Sequence, residues 1–317
     1  MMKEKCIVVG TRGSELATVQ AEMTEARLRE LLPDWEVRRE VIKTTGDRRT
    51  DVALHQVAQS EGGMDKGIFT KELEIALAAG EIDVAVHSLK DVPTVLAPEF
   101  QMAAALPRAA VRDALIFYAE SSLAELPNGA RVGTSSVRRA RQLLWLRPDL
   151  QVVDLRGNVP TRLRKLRDSG EYDAIMLAEA GLARLGFLSA TAEFSELRID
   201  DGLLHAQLLD EAMFFPAAGQ GAIGLEVRAG DDRMREIAEK IGDSATWCRV
   251  RAEREFLRLL DAGCHTPVGV YTHLHAGILH MSARVFPEID GEPRLASISA
   301  PATEPLQAAL LLFESLS

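Results

Sequence analysis

The sequence predicts an α/β protein of two similar lobes with mainly parallel sheets, followed by a small C-terminal α+β domain. Three observations predict it. Strand-like and helix-like runs alternate over most of the chain, two strand-to-helix passages echo each other, and the pattern changes after Asp243. With 317 residues, 47% hydrophobic and 26% charged, the chain has ordinary globular composition and length for two or three domains.

Cys6 to Val9 opens as a strand, and Ser14 stands as an N-cap ahead of Leu16, Val19, Met23 and Ala26, which would share one helix face. Val37 to Lys43 reads as the second strand. Phe69, Leu73 and Leu77 recur every four residues on a helix that Gly80 can end, and Ile82 to Val86 follows as a short buried strand. Val132-Gly-Thr134 with Ser135 and Ser136 then repeats Val9-Gly-Thr11 with Ser14, and Asp173 to Met176 repeats Asp83 to Val86. These echoes describe two lobes facing each other across a cleft, each offering helix starts where anions bind. Pro160 suits the first turn of a helix carrying Arg162 and Arg164. Pro107 to Asp113 and Phe215 to Gly221 interrupt the pattern and are the expected joints. The expected domains are therefore 1–107 with 222–242, 112–216, and 243–317. In the last, Trp247 to Leu260 is an amphipathic helix that Gly263 can end, and Tyr271 to Ser282 and Arg284 to Ser299 read as strands. The polar stretches Thr44 to Asp51 and Gly62 to Gly67 are expected loops.

Cysteines at 6, 248 and 264 are too few for a disulfide framework and lack zinc-site spacing, which points to a reducing, cytoplasmic setting. The start of the chain has only a short apolar run, so neither a signal peptide nor a membrane anchor is expected. A net charge of −10 argues against nonspecific nucleic-acid binding. Yet Arg138, Arg139, Arg141, Arg156, Arg162, Arg164, Lys165 and Arg167 crowd into 30 residues. Arg164, Lys165 and Arg167 read as a solvated helix face. The arginines beside turns read as a site for a small polyanion, because guanidinium grips carboxylates bidentately.

Ala85-Val-His-Ser-Leu-Lys-Asp-Val-Pro93, Gly133-Thr-Ser-Ser-Val-Arg-Arg139, Leu155-Arg-Gly-Asn-Val-Pro-Thr-Arg162 and Pro216-Ala-Ala-Gly-Gln-Gly221 closely resemble hydroxymethylbilane synthases (porphobilinogen deaminases), in the family's order. Thr11-Arg-Gly-Ser14 and Ala262-Gly-Cys-His-Thr-Pro267 extend the resemblance over nearly the whole chain. It implies three domains, the first two like a two-lobed periplasmic binding protein and the third carrying a cofactor. On its own, Asp91 is an aspartate just past a strand end, stiffened by Pro93, and a structural turn residue is the plain reading. The resemblance implies that Asp91 is the catalytic carboxylate. Porphobilinogen, an aminomethylpyrrole, loses ammonia to leave a cationic azafulvene, and a fixed carboxylate stabilises that charge and helps move protons.

The resemblance likewise implies a dipyrromethane primer held by a thioether on Cys264, with Cys6 and Cys248 as small core residues. Lys90, Arg138, Arg139, Thr134, Ser135 and Ser136 would contact that cofactor. Arg12, Ser14, Arg156, Arg162 and Arg184, with Gln20 as a weaker match, would hold the acetate and propionate groups of the substrate, and Lys66 would lie on a loop covering the cleft. Plain N-capping is the competing account of the serines. The chain departs from the family in reading Gly62-Gly-Met-Asp-Lys-Gly67 where Gly-Gly-Lys-Gly is usual, in a longer stretch from Phe187 to Phe214, and in a shorter tail. Two functions are in play: a monomeric transferase that assembles a linear tetrapyrrole, and a catalytically inactive two-lobed anion receptor or sensor. The absent signal peptide, and the presence of both Asp91 and Cys264, favour the first. A metal enzyme ranks third, because His273, His275 and His280 lack a ligand pattern and read as solvated.

Overall fold

The computed structural model describes residues 5–44, 70–188, 192–262, 266–287 and 291–316. Lys66, Cys264, Phe69, Gly263 and the Gly62–Gly67 loop lie outside them. The chain divides into two compact units, Met1–Ala109 with Ala222–Arg254 and Ala110–Gly221 with Glu255–Ser317. The first unit opens with β1 (Cys6–Arg12), α1 (Glu15–Leu31), β2 (Glu36–Ile42), α2 (Lys71–Ala79), β3 (Val84–Ser88) and β4 (Phe100–Ala105). In the second unit follow β5 (Asp113–Phe117), β6 (Arg131–Gly133), α3 (Val137–Leu146), β7 (Gln151–Val153), α4 (Val159–Asp168), β8 (Ala174–Ala178), α5 (Glu179–Arg184), β9 (Phe194–Ile199) and β10 (Gly202–Leu208). The chain returns to the first unit with β11 (Ile223–Arg228), α6 (Asp232–Ile241) and α7 (Ser244–Leu259) as far as Arg254. It closes the second with β12 (Val268–His275), β13 (Ile278–Val285), β14 (Arg294–Pro301) and α8 (Pro305–Glu314).

The first sheet has the order β2-β1-β3-β11-β4 and the second β7-β6-β8-β5-β10-β9. In each, the first three strands are parallel and the rest antiparallel. The parallel pairing expected from alternating strands and helices thus holds at one end of each sheet. A third, antiparallel sheet, β12-β13-β14, has α8 packed on it.

The two sheets share more than order. Asp83 Oδ2 accepts from the Val8 amide at 2.9 Å, and Asp173 Oδ2 accepts from the Arg131 amide at 2.7 Å. Each aspartate thereby fastens the start of one parallel strand to its neighbour. A Cβ on Gly10 would lie 2.2 Å from Ile82, and one on Gly133 2.8 Å from Tyr172. Ile82 and Tyr172 each directly precede those aspartates, so both glycines are fixed by one packing problem solved twice. The short sequence echoes are therefore a structural repeat.

Local signals explain several elements. Ser14 caps α1, Asn158 caps α4 with Pro160 in its first turn, and Gly80 ends α2 at φ 73°. Other expectations are corrected. The buried face of α1 is Ala17, Gln20, Ala21, Thr24, Glu25 and Leu28, whereas Met23 is 40% exposed. Small Ala17 and Ala21 let the helix approach the sheet, and Gln20 and Glu25 are buried because they are paired, with Ser88 and with Arg29 and Arg39. The long stretch from Phe187 to Phe214 contains the edge hairpin β9–β10, turning at Asp200 (φ 51°). Arg164 is exposed as expected, whereas Arg167 is largely covered; both pair with Asp200 at that turn. Tyr271 to Ser282 is two strands, because Ala276 and Gly277 turn the chain with φ of 49° and 78°. Cys6 and Cys248 are half-buried.

Candidate active site

In the first unit, β1 and β3 run side by side and finish at one sheet edge. Arg12 is the last residue of β1. Ser14 Oγ accepts from the Ala17 amide at 3.3 Å, and Thr11 donates to the Ala17 carbonyl at 3.0 Å, closing the strand-to-helix turn. Buried Gln20 donates to Ser88 Oγ at 2.9 Å and so braces the end of β3. Next comes one tight turn, Leu89–Asp91, with Leu89 buried and Lys90 and Asp91 exposed. Behind it, His87 Nε2 lies 2.8 Å from Glu226 Oε2, both side chains buried. The turn's carbonyls at Val92 and Pro93 accept from Arg254 at 2.9 and 2.6 Å.

In the second unit, the residues expected at the site again follow the carboxyl ends of parallel strands. After β6, Thr134 Oγ1 accepts from the Ser136 amide at 3.2 Å, Ser135 donates to the Leu155 carbonyl at 2.6 Å, and Ser136 caps α3. Beyond β7, Arg156 pairs with Asp154 at 2.7 Å and Arg162 Nε donates to the Gly157 carbonyl at 2.7 Å. Following β8, Arg184 closes α5 and donates to the Gly221 carbonyl at 2.7 Å.

Arg138 and Arg139 are buried, at 4% and 6% exposure, and converge on fully buried Asp113 of β5. Arg138 Nη1 donates to Asp113 Oδ2 and the Phe215 carbonyl, both at 2.7 Å. Arg139 donates to Asp113 Oδ1 from Nε at 2.9 Å and Nη2 at 2.6 Å, and to the Met176 carbonyl at 3.1 Å. Gln220 adds a donor to Asp113 Oδ1 at 3.2 Å and ties the Pro216–Gly221 segment to β5. Burial would raise the Asp113 carboxyl, but the two guanidinium charges outweigh it and hold it well below the usual carboxylate range. Burial lowers Arg138.

The sequence alone does not single out Asp113, Gln220, Glu226 or Arg254. One signal is there: Asp113 opens an otherwise apolar strand, and a carboxylate carried into a core requires cationic partners.

The positive charge is not fully consumed internally. Nε of Arg138 and Nε of Arg184 are buried without a hydrogen-bond partner. Burial alone lowers Arg184, to about 10, and it has no acidic partner among the described residues. Guanidinium N–H groups left in this state fit a ligand bearing several carboxylates. Among the described residues no group of three or more His, Cys, Asp or Glu could hold a metal ion, and no helix is long and apolar enough to cross a membrane.

The fold is that of an α/β protein of two units with related sheets, the second also carrying a three-stranded antiparallel sheet. Two family models match: "Porphobilinogen deaminase, dipyromethane cofactor binding domain" over residues 7–236 and "Porphobilinogen deaminase, C-terminal domain" over residues 247–305. The chain therefore belongs to the porphobilinogen deaminase family and contains its dipyrromethane cofactor-binding domain. Curated relatives named porphobilinogen deaminase include that of Syntrophobacter fumaroxidans, 44% identical over 92% of this chain and 87% of its own. That of Syntrophotalea carbinolica is 43% identical over 99% and 93%. Among solved structures, the periplasmic VFT2 domain of Bordetella pertussis BvgS aligns with TM-score 0.45 and 13% identity, covering 76% of this chain and 88% of that one. The methionine-binding protein MetQ aligns at 0.43 and 13%, covering 75% and 90%.

Proposed function

We propose that this chain is an active hydroxymethylbilane synthase, which condenses four porphobilinogen units head to tail with loss of ammonia and then releases the linear tetrapyrrole by hydrolysis. The observation that carries the reading is that one chain, matched by the family over nearly its whole length, has both Asp91, exposed just past a parallel strand, and a cysteine at position 264. Bound through Cys264, a dipyrromethane would supply the nucleophilic pyrrole to which the first unit is added, each later unit joining the end of the growing chain.

The remaining work falls to the chain's own groups. Asp91, held at a strand end, stabilises the cation left when porphobilinogen loses ammonia and accepts or returns a pyrrole proton. Lys90 beside it offers an ammonium to a carboxylate. Arg12 and Ser14, at the start of α1, offer charge and helix amides to a second carboxylate, and Gln20 keeps the end of β3 in place through Ser88. Arg138, Arg139, Thr134, Ser135 and Ser136 hold the primer's side chains, and Arg156, Arg162 and Arg184 those of the arriving and growing units. Lys66 serves the covering loop. The unpartnered Nε atoms of Arg138 and Arg184 support the assignments of those two arginines. In this reading 1–107 with 222–242 and 112–216 are the two binding domains, and 243–317 carries the cofactor. Family membership supports a cytoplasmic, monomeric enzyme that takes neither nucleic acid nor membrane as partner.

The test is turnover of porphobilinogen by the purified protein beside Asp91→Asn, with the released linear tetrapyrrole quantified. Turnover by the parent and its near-complete loss in the variant support the reading. A parent that binds porphobilinogen without consuming it would instead identify an inactive anion receptor.

A further inference from the structure

One face of α7 is built against the turn that presents Asp91. Trp247 and Val250 pack with Leu89 and Val92, and Arg254, one turn further along, donates to the carbonyls of Val92 and Pro93 at 2.9 and 2.6 Å. Positions 247, 250 and 254 follow the i, i+3, i+7 spacing of a single helical stripe. Two amides flanking Lys90 and Asp91 are also bonded: that of Leu89 donates to the Ala222 carbonyl at 3.1 Å, and that of Val92 to the Leu89 carbonyl at 3.2 Å. Pro93 has no amide to offer. With no donor from Arg254, the two carbonyls after Asp91 lose the partners that fix their direction. We infer that Arg254 is a positioning residue for catalysis, its guanidinium fork gripping two successive carbonyls and so fixing where the Asp91 carboxylate is presented.

The inference rests on Asp91 being the catalytic carboxylate. Two further features fit it. Burial lowers the Arg254 guanidinium to about 10, against an opposing pull from Glu226, so it stays charged near neutrality. The neighbouring residue on the helix, Glu253, grips Arg108 at 2.6 and 2.9 Å, so the helix is anchored at that level independently of Arg254. Loss of the arginine should therefore loosen the turn without releasing the helix. Lysine is a poor substitute, because a single ammonium lacks the planar fork that meets two acceptors at once.

The experiment uses primer-loaded protein, with kinetics expressed per loaded chain. It compares Arg254→Lys and Arg254→Met with Arg258→Lys, a control on the same helix whose exposed side chain pairs with Glu255. A catalytic group misplaced by about 1 Å can lose on the order of 100-fold in rate. We expect kcat to fall roughly 10- to 100-fold in both Arg254 variants with KM within about threefold of the parent, and the control to stay within about twofold. Hydrogen exchange at the Leu89 and Val92 amides should accelerate at least about tenfold in the Arg254 variants while that of α1 stays unchanged. Unchanged kcat per loaded chain, or a KM increase alone, would overturn the inference. If Arg254→Met yields no folded protein, Arg254→Lys decides the matter by the same two readouts. The two readings separate cleanly. Faster exchange at the turn together with normal turnover by Asp91→Asn sinks the catalytic reading of Asp91 and, with it, the catalytic part of this inference. Unchanged exchange together with an inactive Asp91→Asn sinks the role of Arg254 alone.

Discussion

Asp113→Asn removes one charge from the centre of the second unit. Oδ2 accepts from Arg138 at 2.7 Å, and Oδ1 accepts from Arg139 at 2.9 and 2.6 Å and from Gln220 at 3.2 Å, all in a fully buried position. Asparagine keeps the volume but places an NH2 group against guanidinium donors and leaves two buried cations without a carboxylate. Breaking a buried ion pair from one side costs about 3–5 kcal/mol. With a urea slope of roughly 1–3 kcal/mol per M, the unfolding midpoint of this unit should fall by roughly 1 M or more. Trp145 lies in the second unit and Trp35 and Trp247 in the first, so phenylalanine at 35 and 247 leaves a fluorescence signal specific to the second. Asp154→Asn is the control, because its pair with Arg156 is partly exposed and worth less than about 1 kcal/mol. The pH dependence has a defined sign. Asp113 is held low in the folded state, so its stabilisation is complete above the unfolded carboxylate value of about 3.9 and is lost as pH falls below it. The gap between parent and variant should be full at pH 7 and shrink below about pH 4. An Asp113→Asn protein that unfolds at the same urea concentration as the control would refute the reasoning.

Other outcomes follow from the same geometry. Asp91→Asn should keep the parent's melting temperature, since the side chain is exposed, and lose most of the turnover; a normal rate would remove Asp91 from the chemistry. Arg184→Leu should leave thermal stability unchanged or improved, because a guanidinium with an unpartnered buried Nε is removed, yet weaken substrate handling or stall elongation. A sharp loss of stability with normal turnover would make Arg184 structural. Gly133→Ala brings a methyl to 2.8 Å from Tyr172 and 3.0 Å from Ile175, and overpacking of that kind should cost about 1–3 kcal/mol in chemical denaturation; Gly170→Ala, with open space around it but φ of 65°, tests backbone strain separately.

The parts legible from sequence were those written over a few residues. Ser14 and Pro160 announce helix starts because capping is local chemistry, and the repeat showed itself where Val9-Gly-Thr11 and Val132-Gly-Thr134 meet the same packing constraint. The edge hairpin β9–β10 was hidden because its turn, Asp200-Asp-Gly202, falls in a stretch read only as an elongated connection. The buried face of α1 was misplaced because hydrophobic spacing cannot anticipate that Gln20 and Glu25 go inside once Ser88, Arg29 and Arg39 satisfy them. The arginine cluster was visible by density alone, but its division was not. Asp113 lies 25 residues from Arg138, and only the fold shows that it neutralises part of the cluster while Arg184 remains without an acidic partner among the described residues. Arg254 and Val92 stand 162 residues apart, a separation at which periodicity carries no information.

The intact mass of the purified protein beside Cys264→Ser, with fragmentation to locate any adduct, tests the central claim most directly. The expected result is an excess of two pyrrole units on Cys264, absent from the variant. An unmodified parent mass that persists after incubation with porphobilinogen would contradict it.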